Sequence, residues 1–127
     1  MGKKIIKTAA APQAIGPYSQ AVEAGGFVFV SGQIPIDPKT GDVLRADIKT
    51  QAKRVMDNVK AILAAADCDT SMVVKVTIYL KNMADFTAVN EVYGGYFPSN
   101  PPARATVEVS RLPKDVGVEM DFTAWKG

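Results

Sequence analysis

Apolar residues recur in steps of three and four at Ile48, Ala52, Val55, Met56, Val59, Ile62, Leu63 and Ala66, while Lys49, Lys53, Arg54, Asp57 and Lys60 lie mostly on the other side. That period predicts an amphipathic helix. It should start near Asp47, whose carboxylate can cap the free amides of the first turn, and end before Asp67-Cys68-Asp69. A second stripe, Met83, Phe86, Val89, Val92, Tyr93, Tyr96 and Phe97, predicts a helix over 83–97, ended by Pro98, Pro101 and Pro102. Elsewhere the period is two. Residues 21–24 (AVEA) and 27–31 (FVFVS) flank Gly25-Gly26, a hairpin signal. Residues 72–80 (MVVKVTIYL) read as a strand with Val74, Val76, Ile78 and Leu80 on one side and Val73, Lys75, Thr77 and Tyr79 on the other. Residues 103–110 and 117–125 alternate cleanly and read as two strands joined by RLPKDV, and residues 3–8 as an edge strand. Residues 9–20, with two prolines and a glycine, read as a structured loop, and Asp37-Pro38-Lys39-Thr40-Gly41 as a turn.

Two helices with about six strands predict an α+β layer, a sheet with both helices on one face. FVFV and MVVKVTIYL carry apolar groups on both sides, and no third layer remains in the chain to cover the second face. The pattern therefore predicts a homo-oligomer.

Composition narrows the chemistry. The 127 residues, 47% hydrophobic and 22% charged, are an ordinary globular mixture. No apolar run is long enough to span a bilayer. The N-terminus matches neither a secretory signal nor a myristoylation site, so the expectation is a cytoplasmic protein. The net charge of +2 is spread along the chain with no basic block longer than Lys3-Lys4, which gives no electrostatic footprint for nucleic acid. There is no histidine and one cysteine, Cys68. Ser-His and Cys-His nucleophile pairs, His-containing metal sites and an internal disulfide are excluded. Chemistry must run on Arg, Lys, Glu, Asp, Tyr, Ser, Thr, backbone groups and water.

Arg104 opens a strand just after a proline-rich loop and shares a face with Thr106 and Glu108. Its planar fork of donors matches a carboxylate. The pattern leaves open a plain ion pair with Glu108 or Asp121. Glu119, on the last strand with Asp121 and Thr123, could act as general acid or base, and in a hairpin with 103–110 it would lie near Arg104. A solvated strand carboxylate is the alternative. Tyr18, on the stiff loop Gly16-Pro17-Tyr18-Ser19-Gln20, could bond a ligand or anchor the loop. Ser31-Gly32-Gln33 ends a strand, where Gly32 permits a close approach or simply a turn. Asn90, at the edge of the second helix's apolar face, could reach a ligand or a neighbouring backbone group.

Taken together, IGPYSQAV, FVFVSGQIPIDPKTG, VVKVTIYLKNMADFTAVNEVY and PPARATVEVSRLPKDVGVEMDF, in that order, closely resemble the RidA/YjgF family of reactive-intermediate deaminases. The match runs from about Ile5 to Trp125, so residues 1–127 read as one RidA-like domain. The resemblance implies a chorismate-mutase-like α+β fold with a mixed sheet, and a homotrimer with clefts between subunits. It implies hydrolysis of 2-iminopropanoate and 2-iminobutanoate, released by pyridoxal-phosphate dehydratases, to 2-keto acids and ammonia, with no cofactor or metal. By position, Arg104 resembles the substrate-carboxylate arginine and Glu119 the acid that activates water. Tyr18, Ser31, Gly32 and Asn90 resemble cleft-lining residues. Many bacterial members have a cysteine where this chain has Thr106, which could still bond substrate or water. Some relatives are ascribed endoribonuclease or translation-inhibitor activity, and a non-enzymatic chaperone-like module is a further alternative.

Overall fold

The computed structural model describes residues 2–127. In chain order it contains β1 (Lys4–Ile6), β2 (Ala21–Ala24), β3 (Phe27–Gln33), α1 (Ile48–Ala65), β4 (Val73–Leu80), α2 (Phe86–Gly94), β5 (Ala103–Glu108) and β6 (Val118–Trp125). The strands form one mixed sheet in the order β1-β2-β3-β6-β4-β5. Every neighbouring pair is antiparallel except β4 and β5. Parallel neighbours need a crossover connection, and α2 supplies it.

Local chemistry accounts for the element ends. Gly25 and Gly26 turn the β2–β3 hairpin with φ of 57° and 84°, left-handed values that glycine adopts without a Cβ clash. The buried residues of α1, from Ala52 to Leu63, fall on the stripe read from the sequence, joined by one amide, Asn58. The helix closes at Asp67, whose φ of 58° lets its N–H reach the Ala64 carbonyl at 3.0 Å while the Cys68 N–H reaches that of Leu63 at 2.8 Å. Cys68 is thereby buried, and desolvation pushes its thiol pKa up. At the other end, Asp47 stands at the N-cap position, but its side chain caps no amide. It accepts the Thr50 hydroxyl instead.

The core lies between the two helices and one face of the sheet. Val28, Val30, Val76, Ile78, Leu80, Val118, Met120, Phe122 and Ala124 meet Val55, Met56, Val59, Ile62 and Leu63 of α1 and Val89 and Tyr93 of α2. Each such side chain contributes roughly 1.5–3 kcal/mol by leaving water.

Three expectations are corrected. In β4 the register against β6 shifts between Val73 and Lys75. The bulge turns Val74 outward (41% exposed) and puts Val73 in the core. The second helix is shorter than the 83–97 stripe. Residues Met83–Asp85 form a 3-10 turn, with Asn82 accepting the Ala84 N–H at 2.9 Å, and the helix stops at Gly94-Gly95, before the prolines. Phe97 still packs on Tyr93, ring centroids 4.8 Å apart. Finally, β5 and β6 are not a hairpin, because β4 lies between them. The connecting segment crosses the end of β4, where Leu80 accepts the Val109 N–H and Lys81 donates to Gly117.

The second sheet face carries no helix. Phe27, Phe29, Val107 and Trp125 are 40%, 48%, 41% and 51% exposed there, beside the polar Thr77, Glu119 and Asp121, so a partly apolar face is left uncovered in the chain. Among the described residues no helix is long and apolar enough to cross a membrane.

Candidate active site

Register places Arg104. It stands opposite Val76 of β4, a core residue, so its side chain leaves the sheet on the helix side. There the guanidinium lies along α2, touching Phe86, Asn90 and Tyr93. Nη1 donates to the Asn90 Oδ1 at 2.6 Å. The guanidinium carbon lies 4.9 Å from the centroid of the Tyr93 ring and 5.6 Å from that of Phe86. Aromatic faces attract a cation and orient its plane. Neither carboxylate left open by the sequence pattern pairs with it. Glu108 accepts the Met83 N–H at 2.7 Å, and Asp121 accepts the Tyr79 hydroxyl at 2.9 Å. Among the described residues Arg104 forms no ion pair. It opens on a cavity of about 450 Å³ walled by Tyr93, Phe97, Pro101 and Pro102. Thr106 follows on the same face, opposite Ile78. Its hydroxyl and that of Tyr93 are buried without a hydrogen-bond partner.

Glu119 stands opposite Tyr79, three residues further along β4 and on the other face. A second bulge prepares its surroundings. Between Val30 and Gln33 the register of β3 on β6 shifts, so Ser31 and Gly32 together face one residue of β6. A Cβ built on Gly32 would lie 2.0 Å from Glu119 Oε2. A Cβ here would oblige the carboxylate, the free end of a flexible side chain, to move; this is the close approach raised by the sequence, made by the protein's own side chain. Burial, reinforced by the negative charge of Asp121, pushes the Glu119 carboxyl pKa up. The carboxylate borders a cavity of about 400 Å³ shared with Tyr18, Gly32, Gln33, Ile36 and Lys114.

The remaining candidates divide between these places. Tyr18 is half exposed and lines the Glu119 cavity; its hydroxyl accepts the Ile15 N–H at 3.4 Å, leaving its own proton free. Ser31 borders neither cavity. Its hydroxyl donates to the Ser19 carbonyl at 2.5 Å and ties β3 to the loop carrying Tyr18. Asn90 orients Arg104. One chain thus brings together Arg104, Asn90 and Thr106 on one side and Glu119, Gly32 and Tyr18 on the other, and it does not bring the two groups together. Sequence reasoning treated Tyr93 as core, which its burial supports, and missed that the same ring carries the guanidinium. It also missed Lys114, for which no signal existed: Lys114 and Asp115 hold consecutive left-handed φ values of 57° and 58° without glycine.

The family described as Endoribonuclease L-PSP matches residues 8–126. A RutC family protein of Pyrococcus abyssi is 57% identical over 126 residues, covering 99% of each chain. The chain belongs to the RidA/YjgF family. Among solved structures, the Rid-family protein YyfA of Yersinia pestis is 45% identical with a TM-score of 0.96, covering 98% of this chain and 99% of that one. TdcF of E. coli, crystallised with bound serine, is 44% identical with a TM-score of 0.93 over the same shares. RidA/YjgF membership therefore applies to the whole arrangement of sheet and helices.

Proposed function

We propose that this protein is a homotrimeric, cytoplasmic 2-imino acid deaminase whose single domain contributes half a site to each of two clefts. Arg104 and Glu119 leave one sheet on opposite faces, each beside its own cavity, and this observation carries the reading. A small molecule can touch both only where two chains meet, and the uncovered apolar face provides a surface for that meeting. The bound serine of TdcF supports the substrate class, since serine has the carboxylate and 2-nitrogen of a 2-imino acid.

The chemistry uses groups already in place. Arg104, held by Asn90 and the rings of Tyr93 and Phe86, takes the substrate carboxylate in paired hydrogen bonds and fixes the orientation of C2. Glu119 removes a proton from water, and the water oxygen bonds to C2 while the C=N electron pair moves to nitrogen. Glu119 then returns its proton to that nitrogen. The hydroxyl proton then passes through the same carboxylate to the nitrogen as the C2–N bond breaks, so that the nitrogen leaves as ammonia and the oxygen becomes the keto group. A carboxyl with a raised pKa suits this exchange, because it takes a proton from water more readily than an ordinary carboxylate and can still return it. Thr106, with an unpartnered hydroxyl, can bond substrate or water.

Ammonia release from threonine in an assay coupled to threonine dehydratase tests the reading. Arg104→Ala should lower kcat/KM by about a thousandfold with the melting temperature nearly unchanged. Ammonia release by that variant at the wild-type rate would sink the assignment. The family's description, Endoribonuclease L-PSP, favours a second reading, an endoribonuclease. Salt-sensitive RNA cleavage that Arg104→Ala leaves intact would establish it instead.

A further inference from the structure

The chain buries three polar side chains among its described residues, Gln20, Gln33 and Asn58. A buried amide stabilises a fold only when its donors and acceptor are matched. Asn58 accepts the Arg54 Nε–H at 3.1 Å and donates to the Ile36 carbonyl at 2.9 Å. Gln33 donates to the nearby Ser31 carbonyl at 3.2 Å. Gln20 makes more contacts, and they converge on one loop. Its Oε1 accepts the Thr8 N–H at 2.7 Å. Its Nε2 faces the carbonyls of Pro12 at 2.8 Å, Thr8 at 3.0 Å and Ala11 at 3.3 Å. Its backbone carbonyl accepts the Ser31 N–H at 3.0 Å, in the bulge beside Gly32.

The loop so gathered is the outer wall of the Glu119 cavity. Pro12, Gln13, Ile15 and Tyr18 all border that cavity. Gln13, Ile15 and Tyr18 are exposed, so core burial does not fix them. The segment belongs to no helix or strand, and no ladder fixes it. Two side chains tie it to the sheet: Ser31 of β3, whose hydroxyl donates to the Ser19 carbonyl, and Gln20, just before β2, whose buried amide alone reaches residues 8–12.

We propose that Gln20 is a positioning residue of the candidate site, whose buried carboxamide clamps residues 8–12 and thereby holds Tyr18 and its neighbours over Glu119. The role rests on the reading of the Glu119 cavity as part of a substrate cleft. Two variants test it. Gln20→Glu keeps the shape and the acceptor for Thr8 but turns an oxygen toward three carbonyls. Gln20→Met keeps the length and removes every polar contact.

In both variants hydrogen exchange over residues 8–18 should quicken about tenfold or more, with β4 and β6 unchanged. KM for the imino acid should rise about tenfold with kcat within about twofold of wild type, since Arg104 and Glu119 stay in place. Gln20→Glu should show the larger change. Wild-type exchange over residues 8–18 in both variants would overturn the role. So would loosening of β4 and β6 together with the loop, with kcat falling as far as KM rises. If the wild-type protein releases no ammonia, the deaminase reading fails, and the exchange pattern alone decides whether Gln20 clamps the loop.

Discussion

The two faces of the sheet are built from the same strands and do opposite things to the charges they hold. On the helix side, Arg104 lies along α2, between the rings of Phe86 and Tyr93 and the Asn90 amide. Those contacts hold the guanidinium in one place with part of its donor fork unoccupied. On the bare side, Glu119 rests against Gly32 beside another carboxylate, and no described residue donates a hydrogen bond to it. Its surroundings favour the neutral form and so prepare a proton to move. In the proposed deaminase one face would supply the binding charge and the other the exchangeable proton, and a strand's period of two separates them within the chain.

The strongest way to break this comparison is to separate the halves genetically. Arg104→Ala and Glu119→Gln should each lose activity about a thousandfold as purified proteins. Unfolding and refolding the two together should restore up to about a quarter of wild-type activity, because random assembly pairs an intact Arg104 with an intact Glu119 at that fraction of interfaces. No recovery would show that one chain supplies the whole site. A smaller loss, about a hundredfold in kcat, is expected for Gly32→Ala. The added methyl must displace the Glu119 carboxylate, whose oxygen lies 2.0 Å from that position, while stability should stay within about 1 kcal/mol of wild type because the displaced group is the free end of a flexible side chain.

Titration sharpens the same contrast. A carboxyl whose folded pKa is raised binds more protons in the folded than in the unfolded state between the two pKa values. Glu119 therefore favours folding below the ordinary carboxylate range and loses that contribution as pH rises through its raised pKa. Urea unfolding of Glu119→Gln should show the variant gaining stability over wild type as pH rises, with the difference vanishing in acid. The acid limb of kcat/KM should reflect the same raised group. The smallest effect is expected at Thr106. Its hydroxyl has no partner in the chain, so Thr106→Val should leave stability within about 1 kcal/mol of wild type. Any loss of activity then measures the use of the hydroxyl by substrate or water.

Much of this was legible in the amino-acid sequence. The stripe from Ile48 to Ala66, the Gly25-Gly26 hairpin and the alternation of residues 118–125 follow from local periods and turn chemistry, and the structure keeps them. The uncovered apolar face follows from counting elements against two-sided strands. Arg104 and Glu119 stood out as charges on alternating strands near turns. Their separation did not. A hairpin of residues 103–110 with 117–125 satisfies every local rule, and it is wrong because β4 occupies the place between them. Strand order is set by which faces pack best on α1 and α2, a long-range matter on which a short segment carries no information.

The chain by itself thus determined which residues alternate, which turns are glycine-driven and which side chains are candidates for chemistry, because these depend on neighbours a few positions away. Only the tertiary structure decided that Val76 sits beside Arg104 and Tyr79 beside Glu119, that bulges at Val74 and at Ser31-Gly32 reset the faces, and that Gln20 gathers a loop from Thr8 to Pro12. Those outcomes depend on register and burial across the whole sheet, where a shift of one residue exchanges its two faces.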